Sequence, residues 1–176
     1  MDYLRLPIGD DYPDSFNLIV EIPKGTANKY EYNKKLQVFE LDRTLYSPMH
    51  YPGDYGFVPS TLALDGDPLD AIVLTDEPTF TGCLLKVRAI GMLEMVDQGE
   101  TDEKLLALPM DNPRYDGIVD YTEIHSHVLK ELDHFFQIYK ELELKRVETY
   151  GWRDAASAKK ALMIAHSRFQ AREQKS

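Results

Sequence analysis

At 176 residues, 43% hydrophobic and 28% charged, the chain can bury one core and is too short for two full domains, so residues 1–176 are read as one domain. No apolar run approaches the ~20 residues of a membrane span, and the opening stretch from Met1 to Pro13 carries acids and prolines where a secretory signal is basic and then apolar, so the expected location is cytoplasmic. A net charge of -10 counts against nucleic acid and anionic membranes as partners, but not against a small anion, because carboxylates loaded with metal become locally positive.

In chain order, Phe16, Leu18, Val20 and Ile22 alternate onto one face of a first strand, with Asn17 and Glu21 on the other, and Pro23 ends it. The same period puts Lys29 and Glu31 together in a second strand, Asn33-Lys34-Lys35 reads as a hairpin turn, and a third strand is expected over residues 36–43. Residues 47–59 are too rich in Pro and Gly for a strand interior and too aromatic for a linker, which predicts an ordered, packed loop. Further strands are predicted over 71–75, 83–96 and 104–109, the middle one bent at Gly91. The lone Cys83 has no disulfide partner and is expected as a buried small hydrophobe in the long strand. These strands predict an antiparallel, barrel-like sheet.

Beyond Thr122 the pattern turns helical. Val128, Leu132, Phe135, Phe136, Tyr139 and Leu142 recur on one face of a helix predicted over 126–143. A last helix starts behind Asp154 as N-cap and buries Ala158, Leu162, Ala165 and Phe169. The fold class is α+β, mainly β.

The chemistry concentrates in Asp65-Gly66-Asp67-Pro68-Leu69-Asp70, which puts three carboxylates into one turn. Like charges at that density repel unless something neutralises them, and hard divalent cations do so with oxygen ligands. An EF-hand would need Gly at its sixth position and Glu at its twelfth, where this segment has Asp70 and Asp76. A second acidic cluster runs from Asp97 to Lys104 and, taken alone, reads as a solvated turn. Together with Glu21 and Glu31 on non-core strand faces, the two loops supply enough oxygens for several Mg2+ ions. Lys29, Arg43, Lys104 and Lys140 are scattered singly and read individually as surface charges. Arg43 at a strand end stands out, because its planar fork suits a phosphate. Tyr139 lies on the apolar helix stripe, which favours a core role. His125, His127 and His134 sit among oxygen donors and are read as structural or interfacial, with no zinc assigned.

Glu21-Ile22-Pro23, Lys29-Tyr30-Glu31, Asp42-Arg43, Tyr51-Pro52-Gly53-Asp54-Tyr55-Gly56, Asp65-Gly66-Asp67-Pro68-Leu69-Asp70, Asp97 with Asp102-Glu103-Lys104, and His134-Phe135-Phe136-Gln137-Ile138-Tyr139-Lys140 stand in one order between Phe16 and Trp152. In that order and spacing the chain resembles the soluble family I inorganic pyrophosphatases of the short, prokaryotic type. The resemblance implies a five-stranded OB-like β-barrel with two C-terminal helices packed beside it. It also implies hydrolysis of inorganic diphosphate with three or four Mg2+ ions, Mn2+ or Zn2+ being substitutes, and a homohexamer built as a dimer of trimers. Asp65, Asp70, Asp97 and Asp102 are implied as metal ligands, with Glu21 and Glu31 acting through waters and an additional metal. Asp67 is the implied general base, and Lys29, Arg43, Tyr55, Lys104, Tyr139 and Lys140 the implied phosphate-gripping groups, with Tyr55 and Arg43 also catalytic.

The chain departs from the family pattern at Asp120-Tyr121-Thr122-Glu123, which leaves the helix start open, and at residues 144–150, one residue off in spacing. Lys145 and Arg146 are therefore left out of the site. An OB-type binding module for anions or oligonucleotides is the alternative reading. It needs basic and aromatic residues along one strand face, where this chain places Glu21 and Glu31. A third reading, an acidic metal-buffering protein, would have no use for the phosphate-gripping set.

Overall fold

The computed structural model describes residues 1–175. Its strands are β1 (Phe16–Ile22), β2 (Asn28–Asn33), β3 (Val38–Thr44), β4 (Asp54–Phe57), β5 (Asp70–Val73), β6 (Leu84–Asp97), β7 (Glu100–Thr101), β8 (Lys104–Pro109) and β9 (Val147–Asp154). The helices are α1 (Ser126–Ile138) and α2 (Ala155–Glu173). Strands β1, β4, β5, β8 and β6 hydrogen-bond in that order, and β6 closes back onto β1. This ring of five strands is the expected OB-like barrel, with two helices beside it.

The ring is not wholly antiparallel, as the sequence pattern suggested. Strand β5 runs parallel to β8, with Asp70 opposite Lys104 and Val73 opposite Ala107. The 30-residue span from Val73 to Lys104 contains all of β6, and that long strand is the crossover a parallel pair requires. A register shift between Ala89 and Gly91 bends β6, so that its first part pairs with β1 and its last part with β9 and β7. From Lys104 to Leu108, β8 is buried on both faces. Leu105 and Ala107 pack with Ala158, Leu162 and Ala165 of α2, while Leu106 and Leu108 pack with Leu132, Phe135 and Phe136 of α1.

Part of the expected loop at 47–59 is a fully buried strand, β4. Gly56 makes this possible, since a Cβ there would sit 1.9 Å from the carbonyl oxygen of Ile19 in β1. The glycine that argues against a strand on propensity is here required by close backbone approach. The β2–β3 hairpin turns over 34–37, with Gln37 at φ 55°, and β3 begins at Val38, two residues later than expected. Ile19, which shares a face of β1 with Asn17 and Glu21, is buried with Tyr32 and Phe57, which docks this hairpin on the barrel. Cys83 precedes β6 and is half-buried.

Asp120 and Glu123 form a reciprocal cap on a 3-10 turn (Tyr121–Glu123), and α1 starts behind His125. The helix stops at Ile138, short of the expected 143. Glu141–Glu143 forms a 3-10 turn ending at Leu144 in a left-handed conformation, and Leu142 is exposed. The tighter turn delivers Glu143 to Arg43, whose Nε donates to its carboxylate at 2.8 Å. Helix α2 begins as expected, with the Ser157 N–H donating to Asp154 at 2.8 Å, and buries Ala158, Leu162, Ala165 and Phe169.

Candidate active site

A cleft of about 500 Å³ opens at one end of the barrel. Strand β1 contributes Glu21, β2 contributes Lys29 and Glu31, and β4 contributes Tyr55. The β4–β5 loop brings Asp65 and Asp67, and Asp70 opens β5. Asp97 ends β6, Asp102 and Lys104 flank the start of β8, and Tyr139 and Lys140 follow α1. Every site residue named from the sequence lines this cleft except Arg43.

The parallel β5–β8 register organises its centre. Because Asp70 lies opposite Lys104, the ammonium reaches Asp70 Oδ2 at 2.7 Å and also contacts Asp102. Tyr55 donates its hydroxyl to the same Asp70 oxygen at 2.5 Å. Burial works against the Lys104 charge, but Asp70 and Asp102 outweigh it and hold the ammonium above the ordinary lysine range. Burial, then the Asp70 charge, pushes the Tyr55 phenol well up, so it stays a donor. Tyr139 is also raised, by burial and then by Tyr51, and its ring stacks on Phe135 at 5.2 Å. Tyr139 therefore belongs both to the core, where its position in the stripe placed it, and to the cleft wall.

Glu21 accepts the Tyr32 N–H at 2.8 Å, and burial, followed by the nearby Asp70 charge, pushes its carboxyl up to about 8. Burial also raises the Asp65 carboxyl, opposed by the Asp67 N–H that donates to Asp65 Oδ1 at 2.9 Å. Lys140 contacts Asp97 Oδ2, Lys29 contacts Glu31, and Lys34 contacts Asp67. Lys34, read from the sequence as a turn residue, lines the cleft. Nothing local marks it, because only the docking of the hairpin brings it to the aspartate loop.

Arg43 stands apart from these residues. Its Nε and Nη1 donate to Glu143 and Asp42, and its guanidinium stays outside the cleft lining. It stands opposite Lys29 in the β2–β3 register, and its Nη2 is buried without a hydrogen-bond partner. Lys145 and Arg146, left out of the site, bridge Glu143 and Glu148 and do not line the cleft.

Among the described residues no three carboxylate or imidazole groups converge into a preformed metal cage. Glu31, Asp67, Asp70, Asp97 and Asp102 each contact a lysine instead. The donor set is nonetheless all oxygen, and Asp97 Oδ1 is buried without a partner, which fits hard divalent cations better than zinc.

The inorganic pyrophosphatase family model matches residues 18–170. The chain is 49% identical over 159 residues to the inorganic pyrophosphatase of a Nostoc species, covering 90% of this chain and 94% of that one. It is 50% identical over 143 residues to that of Geobacillus stearothermophilus, covering 81% and 87%. The fold superposes on the crystal structure of inorganic pyrophosphatase from Thermus thermophilus with a TM-score of 0.95 at 40% identity, over 97% of this chain and 99% of that one. The chain belongs to the inorganic pyrophosphatase family.

Proposed function

We propose that this chain hydrolyses inorganic diphosphate to two orthophosphates by in-line attack of an activated water, with three or four Mg2+ ions per active site. The observation that carries the reading is the cluster of Tyr55, Asp70, Asp102 and Lys104, in which buried cation and phenol donors alternate with carboxylates at one end of the barrel. An oligonucleotide-binding barrel would present bases with stacking platforms and a basic groove, and this cleft is predominantly acidic.

Asp65, Asp70, Asp97 and Asp102 would hold the ions directly, with Glu21 and Glu31 acting through waters and a further ion. When bound, Mg2+ neutralises phosphoryl oxygens and makes water a nucleophile at neutral pH. Asp67, on the exposed side of the loop and paired with Lys34, is assigned to take the proton of the attacking water. Lys29, Lys104 and Lys140 each carry their ammonium next to a carboxylate and are assigned to the phosphate oxygens, where preorganised charge lowers the barrier. Tyr55 and Tyr139 supply hydroxyls that burial keeps protonated. Arg43 joins this set through its unpartnered Nη2. Mn2+ and Zn2+ are the substitutes to compare with Mg2+. The protein is assigned to the cytoplasm as one domain that assembles into a hexamer, a dimer of trimers; among the described residues no helix is long and apolar enough to cross a membrane.

Phosphate release from diphosphate, with Mg2+ titrated from chelated to millimolar and Asp70→Asn in parallel, tests the reading. Mg2+-dependent release that collapses in Asp70→Asn supports it; no release from folded, Mg2+-loaded protein refutes it. Asp67→Asn with near wild-type activity across pH and intact metal binding would remove Asp67 from the base role. Sedimentation at monomer mass would refute the hexamer.

A further inference from the structure

The β4–β5 loop carries Asp65 and Asp67 and leads into Asp70, and the group that joins its two ends is a threonine outside the cleft lining. Thr61 is 2% exposed. Its Oγ1 donates to the Val58 carbonyl at 2.6 Å and accepts the Leu69 N–H at 2.9 Å. Val58 follows β4 and Leu69 immediately precedes Asp70, so one hydroxyl spans the neck of the loop. The Val58 N–H adds a bond to the Leu69 carbonyl at 2.9 Å. Leu69 is 4% exposed, so its N–H has no water to turn to if the hydroxyl is lost.

The upstream side of the neck is anchored independently. The Ser60 N–H donates to Leu4 at 2.8 Å, the Leu62 N–H donates to Ala165 of α2 at 2.9 Å, and His166 Nδ1 lies 2.7 Å from the Ser60 carbonyl. Further out, the bonds are the Ala63 N–H to Asp67 carbonyl at 2.7 Å and the Asp67 N–H to Asp65 at 2.9 Å, in a stretch of mostly exposed residues. With the base held by α2 and the N-terminal segment, and Asp70 held in β5 between β4 and β8, slack created at Thr61 is absorbed by the exposed arm, which moves Asp65 and Asp67 relative to Asp70.

We propose that Thr61 is a positioning residue for the metal-binding aspartates, its hydroxyl setting the spacing between the Asp65–Asp67 arm and Asp70. The inference rests on the assignment of Asp65 and Asp70 as metal ligands. Groups that orient ligands without touching the metal contribute to affinity because a ligand held off its productive geometry must be reordered on binding.

The test pairs Thr61→Val, which keeps the shape and deletes the hydroxyl, with Thr61→Ser, which keeps the hydroxyl. Mg2+ binding is followed by titration calorimetry and phosphate release is measured at low and saturating Mg2+. Thr61→Val is expected to bind Mg2+ about tenfold more weakly. Its kcat at saturating Mg2+ should stay within about threefold of wild type, because the lost interaction precedes the chemical step. Thr61→Ser should restore both. A folded Thr61→Val with wild-type Mg2+ affinity overturns the proposal, and so does Thr61→Ser as weak as Thr61→Val, since packing of the methyl would then be the cause. Should Thr61→Val not fold, amide exchange of the wild-type protein decides: coupling is reciprocal, so Mg2+ must slow exchange of the Leu69 N–H, and indifference of that amide overturns the proposal. A wild type that binds Mg2+ but releases no phosphate would refute the hydrolytic reading and leave this one standing, whereas a hydrolysing wild type with an unaffected Thr61→Val would refute only this one.

Discussion

The two walls of the cleft carry the same kinds of charge in different surroundings. On the barrel wall, Tyr55, Asp70 and Lys104 stand on adjacent ring strands, and the Lys104 side chain is 3% exposed. On the hairpin wall, Lys34 and Asp67 meet with side chains 51% and 64% exposed, and Lys29 contacts a Glu31 that is 48% exposed. Water and salt screen the second set but hardly reach the first. The barrel wall is therefore a rigid frame whose charges depend on one another, and the hairpin wall is a set of weakly coupled contacts.

The barrel wall is disturbed most severely by Lys104→Met, which leaves Asp70 and Asp102 facing each other without their shared cation. The expected loss is at least 10²-fold in kcat, as for other preorganised donors, with about 3–5 kcal/mol of stability from an uncompensated buried charge. Steady-state kinetics and urea unfolding measure the two, and an unchanged kcat would remove Lys104 from the phosphate-gripping set. Gly56→Ala acts on the same wall through the backbone. Its Cβ would meet the Ile19 carbonyl at 1.9 Å, so β1 and β4 must separate. The expected loss is about 3–4 kcal/mol of stability, read in urea, and a loss below 1 kcal/mol would show that the β1–β4 spacing is adjustable.

Tyr55→Phe removes one hydrogen bond to Asp70 and keeps the ring packed against Tyr51 and Phe136. About tenfold in kcat is expected, equivalent to about 1.4 kcal/mol, near the low end for a hydrogen bond to a charged group. Lys34→Gln, on the hairpin wall, should cost less than about 1 kcal/mol in thermal unfolding. It should also flatten the salt dependence of kcat/KM. A loss as large as that of Lys104→Met would erase the distinction between the walls.

Legibility followed the range of the interaction. The stripes of β1, α1 and α2, the Asp154 cap and the crowded aspartates are set by residues within a few positions of one another, and the pattern carries them. Other readings failed where distant segments decide: residues 54–57 became a strand because Gly56 lets β1 approach, and α1 stopped at Ile138 as the turn brought Glu143 to Arg43. Lys34 was missed for the same reason, because a lysine in a turn looks like any solvated charge until the hairpin is docked.

Residue pattern alone specifies a mainly β barrel with two late helices, acids clustered beyond what folding needs, and the residue types that stand ready for metal and phosphate. The parallel run of β5 and β8 emerges from the closed ring and not from the pattern of either strand. That register sets Lys104 beside Asp70, although 34 positions separate them along the chain. Periodicity specifies which face of a strand is buried. It carries no information about which neighbour that strand will pair with, because pairing is selected by the closure of the whole ring and the burial of both faces of β8.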